Sequence, residues 1–309
     1  MTNTPGQGTR VAAPPARDAV GTAWLAALRD VPHQLFAQPS KETALLLDAI
    51  NVHSGHKVLD IGIGDGYRAA LLCHRLGDRA VTVLDTEPNL VDRARETLAS
   101  AGYHPALLHG DSTLGAAAHA PYDRVLATHG APRVPIAWLT QTRTGGTIIT
   151  AVGHTLLRLT KHEDGSASGR FATAAFLPER DRTKIPTPTG IKARTRTDRM
   201  PTLLGHDSMV FLIGLALPDV RRTVDTTGQM YTHPATGSWV RVTPNTDGTA
   251  TLSAHGPRPL WEELLDLLAQ WEDHGRPEIA RYGLSVTPAG DHLLWLDTPR
   301  HLVTTLVGG

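Results

Sequence analysis

The sequence predicts an α/β fold built on a parallel sheet, with a small α+β domain behind it. Three observations carry this expectation. Apolar, strand-like runs alternate with helix-like segments from residue 41 to residue 152. A glycine turn, Gly62-Ile63-Gly64-Asp65-Gly66, joins the first of these runs to a helix. After residue 220 the texture changes to short runs separated by turn signals. The expected division is a flexible N-terminal segment 1–30, a first domain 31–220 and a C-terminal α+β domain 221–309.

Each element follows from its residues. The opening "MTNTPGQGTRVAAPPARD" has Pro, Gly and polar residues without the apolar core of a signal peptide, and reads as a loose tail. "KETALLLDAI" at 41–50 is an apolar-rich helix. "KVLDIG" reads as a buried strand and "YRAALLCHRLG" as the helix after it. "AVTVLD" is a second strand, followed by "EPNLVDRARETLASAGY", a helix with a C-terminal glycine cap. "PALLHGD", "YDRVLATHG" and "GGTIITAV" supply strands three to five. "LLRLTKHEDGSASGRF" reads as a hairpin with an Asp-Gly turn.

The Pro-rich, Thr-rich and basic stretch 178–208 is expected to be a long loop or lid, and "SMVFLIGLALPDV" one more apolar strand. "SWVRVTPNTDGTATLSAHG" gives short strands, "PLWEELLDLLAQWEDHG" a helix and "GLSVTPAGDHLLWLDTP" further strands. Trp261, Leu264, Leu265, Leu268 and Trp271 fall at helical spacing and are assigned to core packing. That leaves Trp239, Tyr231 and Trp295 as exposed aromatic candidates for partner contact.

Composition narrows the function classes. Of 309 residues, 40% are hydrophobic and 19% charged, as in a soluble globular protein, and the formal net charge is zero. Neither nucleic acid nor an anionic membrane is an expected partner. The single Cys73 excludes an internal disulfide framework and fits a reducing cytoplasm. No apolar run approaches the ~20 residues of a membrane span. The sixteen histidines are scattered without metal-ligand spacing, so no metal is expected. The oligomeric state stays open, with a monomer as the expectation.

The glycine turn departs from the dinucleotide pattern G-x-G-x-x-G, because Tyr67 stands where the third glycine should fall. The acidic residues at successive strand ends decide the ligand. Asp60 precedes the turn, within reach of its amides or of an ammonium group. Asp85 closes the second strand, where a carboxylate accepts ribose hydroxyls, and Asp111 closes the third, near an adenine amino group. Each can also be a helix cap. Together they favour S-adenosylmethionine, which has a ribose, an adenine and a charged methionine end but no pyrophosphate, and hence a methyltransferase.

The segments "VPHQLF", "QPS", "GHKVLDIGIGDGYRAALLCHRLG", "VTVLDTEPNLVDRARETLASAGY", "HGDSTLG" and "APYDRVLATHGAPRVPIAWLTQTRTGG" resemble the protein-L-isoaspartate O-methyltransferase family over residues 31–165. The resemblance is nearest to a branch found with ribosomally made, post-translationally modified peptides of the graspetide, lanthipeptide or lasso type. Members of that branch carry an extra C-terminal domain, which "SWVRV", "GPRPLWEELLDLLAQW" and "GRPEIARYGLSVTPAGDHLLWLDTP" resemble.

This resemblance implies a Rossmann-like class I methyltransferase fold with S-adenosylmethionine as cofactor and S-adenosylhomocysteine as product. It implies that Asp60, Gly62, Ile63 and Gly64 line the methionine end, Asp85 and Thr86 the ribose, and Asp111 with Ser112 the adenine. Thr128 and His129 would be catalytic, with Gly130 and Ala131 beside them and Gln38 and Ser40 facing substrate. Two departures stand out. A segment of several dozen residues usually separates the "VPHQLF" and "QPS" equivalents, whereas here only Ala37 lies between Phe36 and Gln38. Asp65 replaces a usually small residue in the glycine turn.

A carboxylate is already the nucleophile at pH 7, so its methylation needs no general base. The expected activity is methylation of an Asp side chain in a macrocyclic ribosomal peptide, leading to an aspartimide (succinimide). The modified precursor peptide would then be the partner, with residues 221–309 as a candidate recognition domain. The competing readings are isoaspartyl protein repair, O- or N-methylation of a small metabolite, and a non-catalytic peptide-binding module.

Overall fold

The computed structural model describes residues 24–36, 41–127, 133–153, 155–176, 193–201 and 203–306. In chain order its elements are α1 (Leu25–Asp30), α2 (Lys41–Ile50), β1 (Val58–Ile61), α3 (Tyr67–Leu76), β2 (Val81–Asp85), α4 (Pro88–Ser100), β3 (Ala106–His109), β4 (Tyr122–Ala127), α5 (Ile136–Gln141) and β5 (Thr142–Val152). There follow β6 (Thr155–Lys161), β7 (Ala167–Phe176), β8 (Arg194–Arg199), α6 (Asp207–Ala216), β9 (Arg221–Asp225), β10 (Gly228–His233), β11 (Ser238–Pro244), β12 (Thr249–His255), α7 (Leu260–Asp273), β13 (Tyr282–Val286), β14 (His292–Leu296) and β15 (Leu302–Leu306). Among the described residues no helix is long and apolar enough to cross a membrane.

The chain divides into two compact units, one formed by residues 1–126 and 141–149, the other by 127–140 and 150–309. In the first, the strand order is β5-β4-β1-β2-β3, and the pairs β1·β2, β2·β3 and β4·β5 are parallel. β1 and β2 are buried along their whole length, which is why they read as unbroken apolar runs rather than as alternation. The helices between them lie where the sequence placed them, within one or two residues. Trp24 and Ala27 are buried, so α1 is packed although it lies inside the segment expected to be flexible up to residue 30.

The second unit is antiparallel. The β6–β7 hairpin has its Asp164-Gly165 turn as expected, and β13, β14 and β15 extend it in the order β6-β7-β13-β14-β15. A separate five-stranded sheet runs β8-β12-β11-β10-β9. The boundary expected at residue 220 therefore falls inside this unit. β8 precedes it yet pairs with β12, and β13 follows it yet pairs with β7.

Two elements differ in kind from the sequence reading. Residues 207–216, expected as a strand, form the helix α6. "DSMVFLIGLA" buries Ser208, Met209, Phe211, Leu212, Ile213 and Leu215, so no polar stripe marks its period, and an apolar run of this length fits either element. The helix is capped by His206, whose ring Nδ1 accepts from the Ser208 amide at 3.3 Å. It also packs tightly at Gly214, where a Cβ would come within 3.0 Å of the Gly153 backbone. Second, residues 194–199 of the expected loop form β8, an edge strand of the five-stranded sheet. Residues 177–192 lie outside the described residues.

Trp239, Tyr231 and Trp295, expected to be exposed, are 8%, 0% and 4% accessible and belong to the core. They sit in strands β10, β11 and β14, and Trp239 and Trp295 fall in runs of consecutive buried residues, so both faces of their strands are covered there. Trp261, Leu264, Leu268 and Trp271 are buried as expected, and Leu265 is half-buried.

Candidate functional site

The site of the first unit is built where β1 ends. Ile61 is followed by Gly62 (φ 92°), Gly64 (φ 59°) and Gly66 (φ 90°), all in the left-handed region that only glycine enters freely. Their roles differ. Gly66 lies against α4, with the Leu98 side chain 3.4 Å from where its Cβ would be. Gly64 is exposed, with nothing within 4 Å of that position, so the turn leaves open space beside its backbone. Asp65, the departure in this turn, accepts from the Tyr67 amide at 3.0 Å and so caps the first turn of α3.

Asp60 and Arg68 lie beneath the turn. The Asp60 carboxylate is fully buried, and its Oδ1 accepts from Arg68 Nε at 2.8 Å and Nη2 at 2.7 Å. Arg68 Nη2 also donates to the Gly62 carbonyl at 2.6 Å, which ties the end of β1 to the glycine turn. Asp60 Oδ2 is buried without a hydrogen-bond partner. Burial pushes the Asp60 carboxyl above its usual range, and the Arg68 charge pulls it back. Arg68 was not singled out in the sequence. The readable signal was one cation in the apolar helix "YRAALLC", eight residues after a strand-end acid.

Asp85 ends β2 and is also fully buried. Its Oδ2 accepts from the Ile63 amide at 2.8 Å and its Oδ1 from the Glu87 amide at 3.0 Å. The carboxylate thus holds the glycine turn in place from the neighbouring strand, at a strand end. Thr86 beside it is exposed. Asp111, after β3, is exposed; its Oδ1 accepts from the Thr113 hydroxyl at 2.7 Å and amide at 2.8 Å. Those bonds, the hydroxyl first, hold its carboxyl below the usual range. The helix-cap reading of Asp111 therefore describes its protein contacts. Ser112 next to it is buried.

The polypeptide reaches this site from the N-terminal side through Phe36, which is buried against Tyr67 at the start of α3, with ring centroids 5.4 Å apart. Gln38, Ser40, Thr128, His129, Gly130 and Ala131 lie outside the described residues. In the second unit, Val134 pairs with a distant histidine. Its amide donates to His292 Nε2 at 2.9 Å, while His292 Nδ1 donates to the Gly290 carbonyl at 2.8 Å. Sequence reasoning missed His292 because 158 residues separate it from Val134.

S-adenosylmethionine fits what the first unit offers: an orphaned buried carboxylate oxygen for an ammonium group, open backbone at Gly64 and a strand-end acid on the neighbouring strand. A parallel sheet with its acidic groups at strand ends has the Rossmann-like α/β form in which class I methyltransferases bind this cofactor. Comparison with known proteins agrees. Residues 22–184 match the model of the family described as protein-L-isoaspartate(D-aspartate) O-methyltransferase. A protein-L-isoaspartate O-methyltransferase of Xanthobacter autotrophicus is 36% identical over 151 residues, 47% of this chain and 68% of its own length. A second, from Geotalea uraniireducens, is 41% identical over 140 residues, 44% of this chain and 63% of its own. The chain thus spans about two thirds of these relatives. A solved protein-L-isoaspartate O-methyltransferase structure covers 91% of this chain and 97% of its own, at a TM-score of 0.53 and 18% identity, a likeness of fold. The chain belongs to the protein-L-isoaspartate O-methyltransferase family, and with it to the S-adenosylmethionine-dependent carboxyl O-methyltransferases.

Proposed function

We propose that the first unit methylates an aspartyl side-chain carboxylate in a modified, macrocyclic ribosomal peptide, and that the ester then closes to an aspartimide. The observation that carries methyl transfer is the buried, unpartnered Asp60 Oδ2 beneath an open glycine turn. Bound S-adenosylmethionine supplies an electrophilic methyl group. In this reading Asp60, Gly62, Ile63 and Gly64 hold its methionine end, Asp85 and Thr86 its ribose, and Asp111 and Ser112 its adenine. Thr128 and His129 orient the carboxylate, while Gln38, Ser40, Gly130 and Ala131 hold the peptide around it. Methyl transfer to an ionised carboxylate would need no proton movement, so the chain's task is alignment of the carboxylate and exclusion of water. In the product, the following backbone nitrogen attacks the ester carbonyl, its proton leaves with methoxide as methanol, and a macrocycle that presets this approach favours the closure.

A dedicated peptide is supported by the single residue between Phe36 and Gln38, by the C-terminal motifs, and by residues 185–309, which lie beyond the family match. The single cysteine suits a cytoplasmic setting. The named relatives favour a second reading, methylation of isoaspartyl residues in damaged proteins. Mass spectrometry separates the two. A macrocyclic Asp peptide incubated with enzyme and cofactor should gain one methyl group and then become one water lighter than the starting material, while a linear isoaspartyl peptide stays unchanged. The opposite pattern establishes repair, and methylation of neither overturns both.

A further inference from the structure

The second unit contains a cavity of about 340 Å³ between the five-stranded sheet and the start of α7, which the proposed methyl transfer does not use. Its floor follows from strand register. Arg194 lies opposite Ala254, and Arg196 opposite Leu252; on the next strand Ala254 faces Val240. Directly opposed residues share a sheet face, so one face carries apolar Val240, Leu252 and Ala254 inside and two guanidinium groups at its edge. Arg196 is paired with Glu262 at 2.8 Å, and Arg258 on the far rim with Glu263 at 2.8 Å. Arg194 is exposed and makes no ion pair among the described residues. Trp239 also lines the cavity; it is 8% accessible, and its Nε1–H is buried with no acceptor. An indole N–H can only donate, and a buried one left unpaired is costly. β8 is an edge strand, and among the described residues no strand pairs with its outer side.

We infer that this cavity and the free edge of β8 bind an acidic, partly apolar polypeptide segment, added to the sheet as a further strand. The backbone of such a segment satisfies the outer edge of β8. Its apolar side chains fill the floor, and a carboxylate meets Arg194 while a ligand oxygen accepts from Trp239 Nε1. Nucleic acid fits less well. The cavity is small, two of its three arginines already have carboxylate partners, and the whole chain has no net positive charge. The inference rests on the reading that the substrate is a polypeptide, and it makes this a docking site remote in sequence from the glycine turn.

The test is a fluorescence anisotropy titration of the full chain with a labelled short peptide alternating glutamate and leucine. Its glutamine–leucine counterpart and a labelled oligothymidylate serve as controls. Saturable binding of the acidic peptide is expected, weakened about tenfold by Arg194→Glu and about fivefold by Trp239→Phe, which removes the indole donor and shortens the aromatic side chain. Thermal melts should match wild type in Arg194→Glu, whose side chain is exposed, and cofactor affinity should match wild type in both variants. Equal binding of the glutamine peptide, tighter binding of oligothymidylate, no binding by wild type, or undiminished binding by a folded Arg194→Glu variant overturns the inference. The readout needs no methyl transfer. A chain that binds the acidic peptide yet methylates no polypeptide keeps this site and loses the proposed function.

Discussion

The two units differ in where they place part of their charge. The first has exposed pairs such as Arg95–Asp92 but also turns charged side chains inward: Asp60 and Asp85 are fully buried, and Arg68 and Arg124 are 9% accessible. Arg124 holds the Ile50 and Asn51 carbonyls at 2.8 and 3.1 Å, just as Arg68 holds Gly62. In the second unit the ion pairs lie outside, as in Arg241–Asp225 and Arg281–Asp297. Burying a charge costs several kcal/mol unless it is well matched, whereas an exposed pair contributes little. The first unit therefore carries a prebuilt polar site in its interior, the form suited to a small charged ligand. The second is stabilised by apolar packing and keeps its cations for the rim of a cavity.

The contrast predicts a graded series of effects. Asp60→Ala should be the most damaging, because it strands the Arg68 charge in the interior; a loss of about 3–5 kcal/mol in urea denaturation is expected. Replacing both partners, Asp60→Ala with Arg68→Met, should recover most of that loss in stability while cofactor binding stays impaired. If the double variant is no more stable than the single one, the buried pair is not the reason for the damage.

Asp85→Ala should weaken S-adenosylmethionine binding by about 2–3 kcal/mol in calorimetric titration, through lost charge-assisted bonds and a loosened glycine turn. Asp111→Ala should cost less affinity, since its protein contacts are those of a local cap. Unchanged affinity in a folded Asp85→Ala protein would remove the ribose assignment.

His292 tests the second unit. Burial holds its imidazole below the ordinary value of 6.5, and the neutral ring both accepts from Val134 and donates to Gly290. The folded state thus binds this proton less tightly than the unfolded chain. Its contribution is present in full above the ordinary value and is lost as pH falls through that value towards the lower folded one. Melting midpoints should drop over this interval, and the drop should be shallower in His292→Gln. Parallel pH profiles would show that another group is responsible. The smallest effect is expected from Arg281→Ala, whose exposed pair with Asp297 should leave the midpoint unchanged within error.

Legibility in the sequence follows the same division. Elements of the first unit were readable because buried parallel strands are short, unbroken apolar runs bounded by glycines, and its helices keep a polar face. The strand-end acids were readable as a set, but their contacts were not. Nothing local reveals that Asp85 spends lone pairs on Ile63 and Glu87, or that Arg68 turns inward. In the second unit, α6 has no polar stripe to show its period, and β8 hides in a Pro- and Thr-rich stretch because an edge strand needs no apolar alternation. The boundary at 220 failed for a topological reason, since β8 and β13 find partners far away in sequence.

The central claim is that the methyl group goes onto a carboxylate of a polypeptide, and the lability of the product bond tests it most directly. Enzyme, methyl-labelled S-adenosylmethionine and the macrocyclic Asp peptide are incubated, volatile methanol is collected during the incubation, and the peptide is then treated with mild base. A carboxyl ester releases its label as volatile methanol, and a peptide with Asn in place of the acceptor Asp should take up none. Label that survives base, or that enters the Asn peptide equally well, would mean methylation of nitrogen or of an alcohol and would contradict the account.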